Sequence, residues 1–188
     1  MERWADILGW NGFYQVSSYG RVRTCIRIGG RGNRYTKDNP WRIIKTQVKR
    51  GYEILSIRKI GKTKKTFTAL HRVMWTAFNG EIPENMTIDH INGDKRDNRL
   101  ENLRLATWQQ QSFNRPKQKR KSYSKYKGIN YQKSSPNKPW LAFIFYNNKK
   151  IYLGHFATEV EAAKAYNDAA IKFFGEFAKL NIIESLII

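Results

Sequence analysis

One stretch limits the folds open to this chain more than any other, the run from Met86 to Arg104. Apolar Met86 and Ile88 alternate along it. The adjacent pair Asp89-His90 follows, then the turn residues Asn92-Gly93-Asp94, and a short segment closing on Asn102-Leu103-Arg104. Asn-Gly reverses a chain tightly because glycine accepts positive φ at little cost. The flanking segments are thereby expected to return on each other. An acid beside an imidazole offers an oxygen ligand for a hard cation and a base whose ordinary pKa lies near neutrality. Neighbours on a regular strand face opposite ways. Asp89 and His90 therefore serve one site only where the strand bends or stops, as the following turn allows.

The order and spacing of Asp89-His90, the Asn/Gly/Asp turn and Asn102-Leu103-Arg104 resemble the HNH, or ββα-metal, nucleases, in the variant common among modular homing endonucleases of phages and introns. The resemblance covers roughly residues 70–114. It implies Asp89 as a metal ligand, His90 as the general base that deprotonates the attacking water, and Asn102 as the amide that holds His90 or the turn in place. It also implies a second ligand on the helix that follows, nine positions beyond Asn102, where the family carries Asn or His. This chain has Gln111 there, one methylene longer than Asn. Gln111 is then a tolerated ligand, the mark of a degenerate nuclease that only binds DNA, or a change that traps an uncleaved complex. Asn114, one helical turn on, is a substitute ligand. Asp94 is read as shaping the turn, and Asp97 or Asn98 as capping the short helical turn before Asn102. One Mg2+ or Mn2+ per site is the implied cofactor.

The net charge is +20, from 35 Lys and Arg against 15 Asp and Glu. Such an excess opposes compaction unless a polyanion neutralises it. No apolar run approaches the roughly 20 residues of a membrane span, and no secretion signal is expected. Double-stranded DNA is the expected partner, with no membrane role. The single cysteine, Cys25, excludes an intrachain disulfide partner, fits a reducing cytoplasm and is read as a packing residue; the resemblance implies a protein of a bacterial host or one encoded by a phage.

Residues 1–68 are expected to form a β-rich DNA-contacting module. Phe13–Ser17 and Arg21–Arg23 read as two strands joined at Ser18-Tyr19-Gly20. Trp4, Ile7, Gly12, Tyr14, Val16, Ser17, Gly20 and Val22 resemble the small module that precedes HNH domains in modular homing nucleases. Arg21 and Arg23 are candidate phosphate contacts. Residues 27–39 read as a loop. Arg42–Lys45, Tyr52–Ile57 and Thr66–Thr68 are expected to make one small antiparallel sheet, with a basic turn over 61–65. Leu70, Val73, Met74, Ala77 and Phe78 keep a helical period. His71 on that helix is read as hydrogen-bonding the scaffold, the alternative being a contact to a phosphate near the scissile bond.

After the nuclease core, set at 69–114, comes a basic linker, 115–125. It holds Lys119, Arg120 and Lys121 as candidate DNA contacts. The composition then changes. Strands are expected over Tyr126–Lys133, Trp140–Tyr146 and Lys150–Phe156, with a tight turn at Asn147-Asn148. A helix follows, opened by a Thr158/Glu161 capping box and closed near Gly175. Tyr126-x-Gly128-Ile129, Tyr152-Leu153-Gly154-x-Phe156 and the Ala-rich run from Glu161 to Ala170 resemble the Apetala/ethylene-response-factor type DNA-binding domain of plants. The resemblance covers 126–181, within a domain set at 126–183. It implies a sheet laid in the major groove, with Asn130, Gln132, Phe143, Phe145, Lys150 and Tyr152 facing DNA. Amides pair best with adenine and aromatics pack on thymine methyls, which leans the site toward AT pairs.

The fold class expected is α+β: an N-terminal antiparallel β module, a ββα-metal core, a basic linker and a three-stranded antiparallel sheet packed on one helix. The function expected is that of a site-specific DNA endonuclease of homing type, a monomer nicking one strand. The alternative is a sequence-specific DNA-binding regulator with an inactivated nuclease core, resting on Gln111. An RNA-binding splicing helper is supported by charge alone.

Overall fold

The computed structural model describes residues 1–10, 12–26, 40–58, 64–117 and 123–183. The expected loop at 27–39, most of the basic turn at 61–65, the candidate contacts Lys119, Arg120 and Lys121, and the tail from 184 lie outside the described residues. The chain packs as two units, 1–108 and 109–188. The architecture is α+β, as expected from the sequence.

The first unit opens with a four-stranded antiparallel sheet of β1 (Trp4–Asp6), β2 (Tyr14–Ser17), β3 (Val22–Thr24) and β4 (Arg42–Ile44), in that spatial order. Val16 and Val22 are directly opposed and fully buried. The turn between them needs Gly20, whose φ is +80° and whose position faces the backbone of Asn98. A second antiparallel sheet is built from β5 (Gln47–Lys49), β6 (Tyr52–Arg58) and β7 (Lys65–Ala69). Arg50 and Gly51, both at positive φ, make the tight hairpin between β5 and β6.

Two expectations are corrected here. Trp4–Asp6 is a strand that the pattern of residues did not show. Arg42–Ile44 pairs with β3, Ile44 opposite Val22, and not with the strands that follow it. That pairing sets partly buried Ile44 against the core of the first sheet.

The chain then enters α1 (Leu70–Asn79), which buries Leu70, Val73 and Met74. A hairpin of β8 (Met86–His90) and β9 (Leu103–Thr107) follows. It is joined by a long loop that ends in a 3-10 turn, Leu100–Asn102. Ile88 is buried and belongs to one hydrophobic cluster with Val16, Val22, Leu55, Ile57, Leu70 and Met74. Residues on both sides of position 68 thus share one core, because neither sheet is large enough to bury an independent one.

Helix α2 (Trp108–Phe113) begins at the last residue of the first unit; in the second unit its Phe113 packs on Phe174, ring on ring at 3.9 Å. A three-stranded antiparallel sheet runs β10 (Ile129–Tyr131), β11 (Trp140–Tyr146), β12 (Lys149–Phe156). Asn147 and Asn148, both at positive φ, form the tight turn. Helix α3 (Glu159–Phe174) lays Ala162, Ala163, Tyr166, Ala169 and Ala170 on the sheet. Its start is the expected capping box: Thr158 Oγ1 accepts from the Glu161 amide at 3.2 Å, and the Glu161 carboxylate accepts from the Thr158 amide at 3.2 Å. Gly175 closes it. Gly128 is required by contact as well as by φ: a Cβ there would lie 2.2 Å from the Tyr166 ring and 2.6 Å from the Phe143 carbonyl. The first strand is shorter than expected and stops at Tyr131. Gln132 lies beyond it, its amide donating to the Pro139 carbonyl at 2.7 Å.

Candidate active site

β8 ends at His90, and the turn begins at the next residue. Strand alternation puts His90 on the face of Ile88 and Asp89 on the opposite one. Both are buried, at 4% and 5% exposure.

The His90 ring lies in an aromatic cluster. The His71 ring meets it edge to face at 5.1 Å, and Tyr52 stands 5.2 Å from His71 and 6.2 Å from His90. The Lys95 ammonium sits 4.5 Å over Tyr52. Asn98 sets the tautomer of His90. Its Nδ2 donates to the Arg96 carbonyl at 3.0 Å, which turns its amide oxygen to His90 Nε2 at 3.3 Å. Nε2 therefore carries the proton, and the lone pair lies on Nδ1. Burial pushes the His90 pKa below its ordinary value, against the opposing pull of Asn98 and Asp89. At neutral pH the ring is neutral, the form a general base requires.

His71 corrects its sequence reading: its Nδ1 is buried with no hydrogen-bond partner. Burial, with the neighbouring His90 and Arg72, lowers its pKa to about 4.

Asn102 holds the turn. Its carbonyl oxygen accepts from the Asn92 amide at 3.0 Å, and its Nδ2 donates to the Asn92 side chain at 3.1 Å and to the Asp97 carbonyl at 2.8 Å. Asp94 shapes the same turn by accepting from the Arg96 amide at 2.9 Å. Asp97 pairs with Arg99 and accepts from Asn92 Nδ2, which holds its carboxyl down at about 2.

Asp89 faces Arg104 directly across the hairpin, and the guanidinium Nε and Nη2 donate to its Oδ2 at 3.2 and 3.1 Å. Among the described residues, no three His, Cys, Asp or Glu side chains gather into a cluster able to hold a metal ion. Asp89 thus offers one carboxylate, with the Arg104 guanidinium already on its Oδ2. That donor set fits a cation such as Mg2+, which keeps several waters and takes one or two carboxylates. It does not fit a closed Cys/His zinc centre. Gln111 and Asn114 belong to the second unit, Gln111 half-buried on α2 and Asn114 buried just past it.

The sequence reading missed Arg104 as the partner of Asp89 and Asn98 as the partner of His90. Counting back across the hairpin would give the Arg104 pairing only with the register known. Asn98 was read as a cap.

The candidate DNA contacts are placed as follows. Arg21 pairs with Glu2. Arg23 is held between Trp4 and Trp41, at 4.0 and 4.8 Å, and donates to Gln15 at 2.8 Å. Phe143 and Phe145 meet edge to face at 5.8 Å. The Lys150 ammonium sits 4.1 Å over Phe143 and 4.9 Å over Tyr152. Asn130, Phe145, Lys150 and Tyr152 are exposed, and Phe143 and Gln132 are half-exposed.

The family model of HNH endonucleases matches residues 68–112, and that of the NUMOD4 motif matches residues 2–58. An uncharacterised HNH endonuclease, L560, of Acanthamoeba polyphaga mimivirus is 39% identical over 61% of this chain and 58% of its own. DNA endonuclease I-HmuI of Bacillus phage SP01 is 35% identical over 55% of this chain and 52% of its own. Protein 3.8 of Escherichia phage T7 is 40% identical over 34% and 51%. The chain thus spans a little over half the length of these relatives. A solved structure of the homing endonuclease I-HmuI, described as binding and cleaving DNA, aligns with 56% of this chain and 52% of its own, at 30% identity and a TM-score of 0.44. Residues 2–58 are thus similar to the NUMOD4 motif and residues 68–112 to HNH endonucleases, and about half of this chain aligns with DNA endonuclease I-HmuI.

Proposed function

We propose that this protein is a site-specific DNA endonuclease of homing type that nicks one strand, with one divalent cation per site. The observation that carries the reading is the buried, neutral His90, fixed as the Nε2–H tautomer by Asn98 and next in sequence to the buried Asp89 carboxylate. In this reading His90 Nδ1 takes the proton of the attacking water. Asp89 gives the first oxygen ligand, and Gln111 gives the second through its amide. Asn102 keeps the turn rigid, so that His90 does not drift from its attack position; about 1 Å of displacement can cost ~100-fold in rate. A bound Mg2+ or Mn2+ would offset the charge of the crowded phosphate and of the departing 3′ oxygen.

The second unit and the basic segments grip the duplex in this reading. The exposed Asn130, Phe145, Lys150 and Tyr152, with Phe143 and Gln132, make the base-reading face. The resemblance of 126–181 to the Apetala/ethylene-response-factor type domain supports that assignment. Lys119, Arg120 and Lys121 track the backbone. Arg21 and Arg23 meet phosphates once Arg21 exchanges Glu2 for the nucleic acid. The chain acts as a monomer in the cytoplasm of a phage host.

Gln111 favours a second reading, a DNA-binding regulator whose nuclease core is inactive. A plasmid nicking assay with Mg2+ separates the two. Conversion of supercoiled to open-circle plasmid by this chain, abolished in His90→Ala, supports the endonuclease. If only Gln111→Asn cuts, the regulator reading holds. If neither form cuts, the catalytic reading is lost.

A further inference from the structure

The Asn102-Leu103-Arg104 segment has a residue that the reaction above does not use. Arg104 directs both Nε and Nη2 at one oxygen of Asp89, at 3.2 and 3.1 Å. The two side chains are 12% and 7% exposed. Their Cα positions are opposed in the β8–β9 ladder, so the pairing is imposed by strand register. A divalent cation that took the same Oδ2 would meet the guanidinium there, and two positive charges in one small, poorly hydrated space repel. We propose that Arg104 is the resident counter-ion of Asp89: it holds the carboxylate aimed through its Oδ2, and it competes with a divalent cation for that oxygen. The inference rests on the reading of Asp89 as a metal ligand.

The consequence is that the chain without DNA binds metal more weakly than its carboxylate alone would. The test is titration of the full chain with Mn2+ alone, following the electron paramagnetic resonance signal of the free ion. Arg104→Met, which removes the charge at similar length, is expected to bind Mn2+ at least tenfold more tightly than the unaltered chain. Arg104→Lys, which keeps a charge but not the planar fork, is expected to fall between them. Asp89→Asn is expected to lose the site. If both Arg104 variants bind as the unaltered chain does, or more weakly, while Asp89→Asn loses binding, the counter-ion role is overturned and Asp89 remains a ligand. If Asp89→Asn binds Mn2+ unchanged, the ligand reading fails and takes the inference with it. Should Arg104→Met not fold, the unaltered protein still decides the matter. The Arg104 Nε–H nuclear magnetic resonance signal is expected to move as Mg2+ is added, and a signal unmoved at saturating Mg2+ overturns the proposal.

Discussion

Acid should unfold the first unit through His71. The ring is 8% exposed, its Nδ1 has no partner, and its pKa lies near 4 against an ordinary 6.5. Its folded pKa is lowered, so between pH 6.5 and 4 the unfolded chain takes up a proton that the folded chain refuses. Stability is therefore greatest above pH 6.5 and falls as the pH drops toward 4, below which the loss is complete. Moving a histidine from 6.5 to about 4 amounts to about 3 kcal/mol, at about 1.4 kcal/mol per pH unit. That is a large part of the ~5–15 kcal/mol that holds a domain together. The buried His90 adds a loss of the same sign. The assay is urea denaturation at pH 7.5 and at pH 4.5, followed by tryptophan fluorescence in a Trp140→Phe background, so that the tryptophans of residues 1–108 report. His71→Phe keeps an aromatic ring against Tyr52 and His90 but cannot be protonated. It should recover most of that 3 kcal/mol at pH 4.5 relative to pH 7.5. An unchanged pH dependence in His71→Phe would refute the account of His71 as a buried neutral ring.

Three further outcomes are expected. Asn98→Ala removes the acceptor that fixes the His90 tautomer; plasmid nicking should fall by about tenfold or more with DNA binding unchanged in a gel-shift assay. Gly20→Ala forces positive φ on a Cβ that would stand 3.2 Å from the Asn98 backbone. It should cost about 1–2 kcal/mol in the urea midpoint of the first unit and slow nicking as Asn98 is displaced. Gly128→Ala drives a Cβ to 2.2 Å from Tyr166 at a φ of +76°; a loss of about 3 kcal/mol or more is expected in the second unit, read by Trp140 fluorescence, with the first unit's melt unmoved.

Much of this architecture was legible because its signals are local. The 3.6-residue period of Leu70, Val73, Met74 and Ala77 gave α1, and the Thr158/Glu161 pair gave the start of α3. Asn147-Asn148 gave the β11–β12 turn, since two residues at positive φ leave few choices of side chain. What was missed depends on contacts distant in sequence. The pairing of β4 with β3 spans the loop at 27–39, and no periodicity within Arg42–Ile44 reports which strand lies alongside. The Asp89–Arg104 pair spans fifteen positions across a loop whose length alone does not fix the register. Asn98 was read as a helix cap because Asn serves both roles. Its contact with His90 follows only from the fold of the turn.

The same distant contacts change what the N-terminal sheets do for the site. His90 is held by Asn98, and Asn98 packs against Gly20, in the turn between β2 and β3. Beside it, the Leu100 amide donates to the Ser18 carbonyl of that same turn at 2.9 Å. Tyr52, from the second sheet, completes the ring cluster around His71 and His90. His90 is thus positioned from the core side by residues of the first two sheets, while Asp89, on the opposite face of the same strand, answers to the hairpin through Arg104. Two adjacent residues are set by two different parts of the molecule. Strand alternation, which looked like an obstacle to a shared site, lets each be tuned without disturbing the other up to the point where β8 ends. In the proposed endonuclease the N-terminal sheets therefore hold the general base in place.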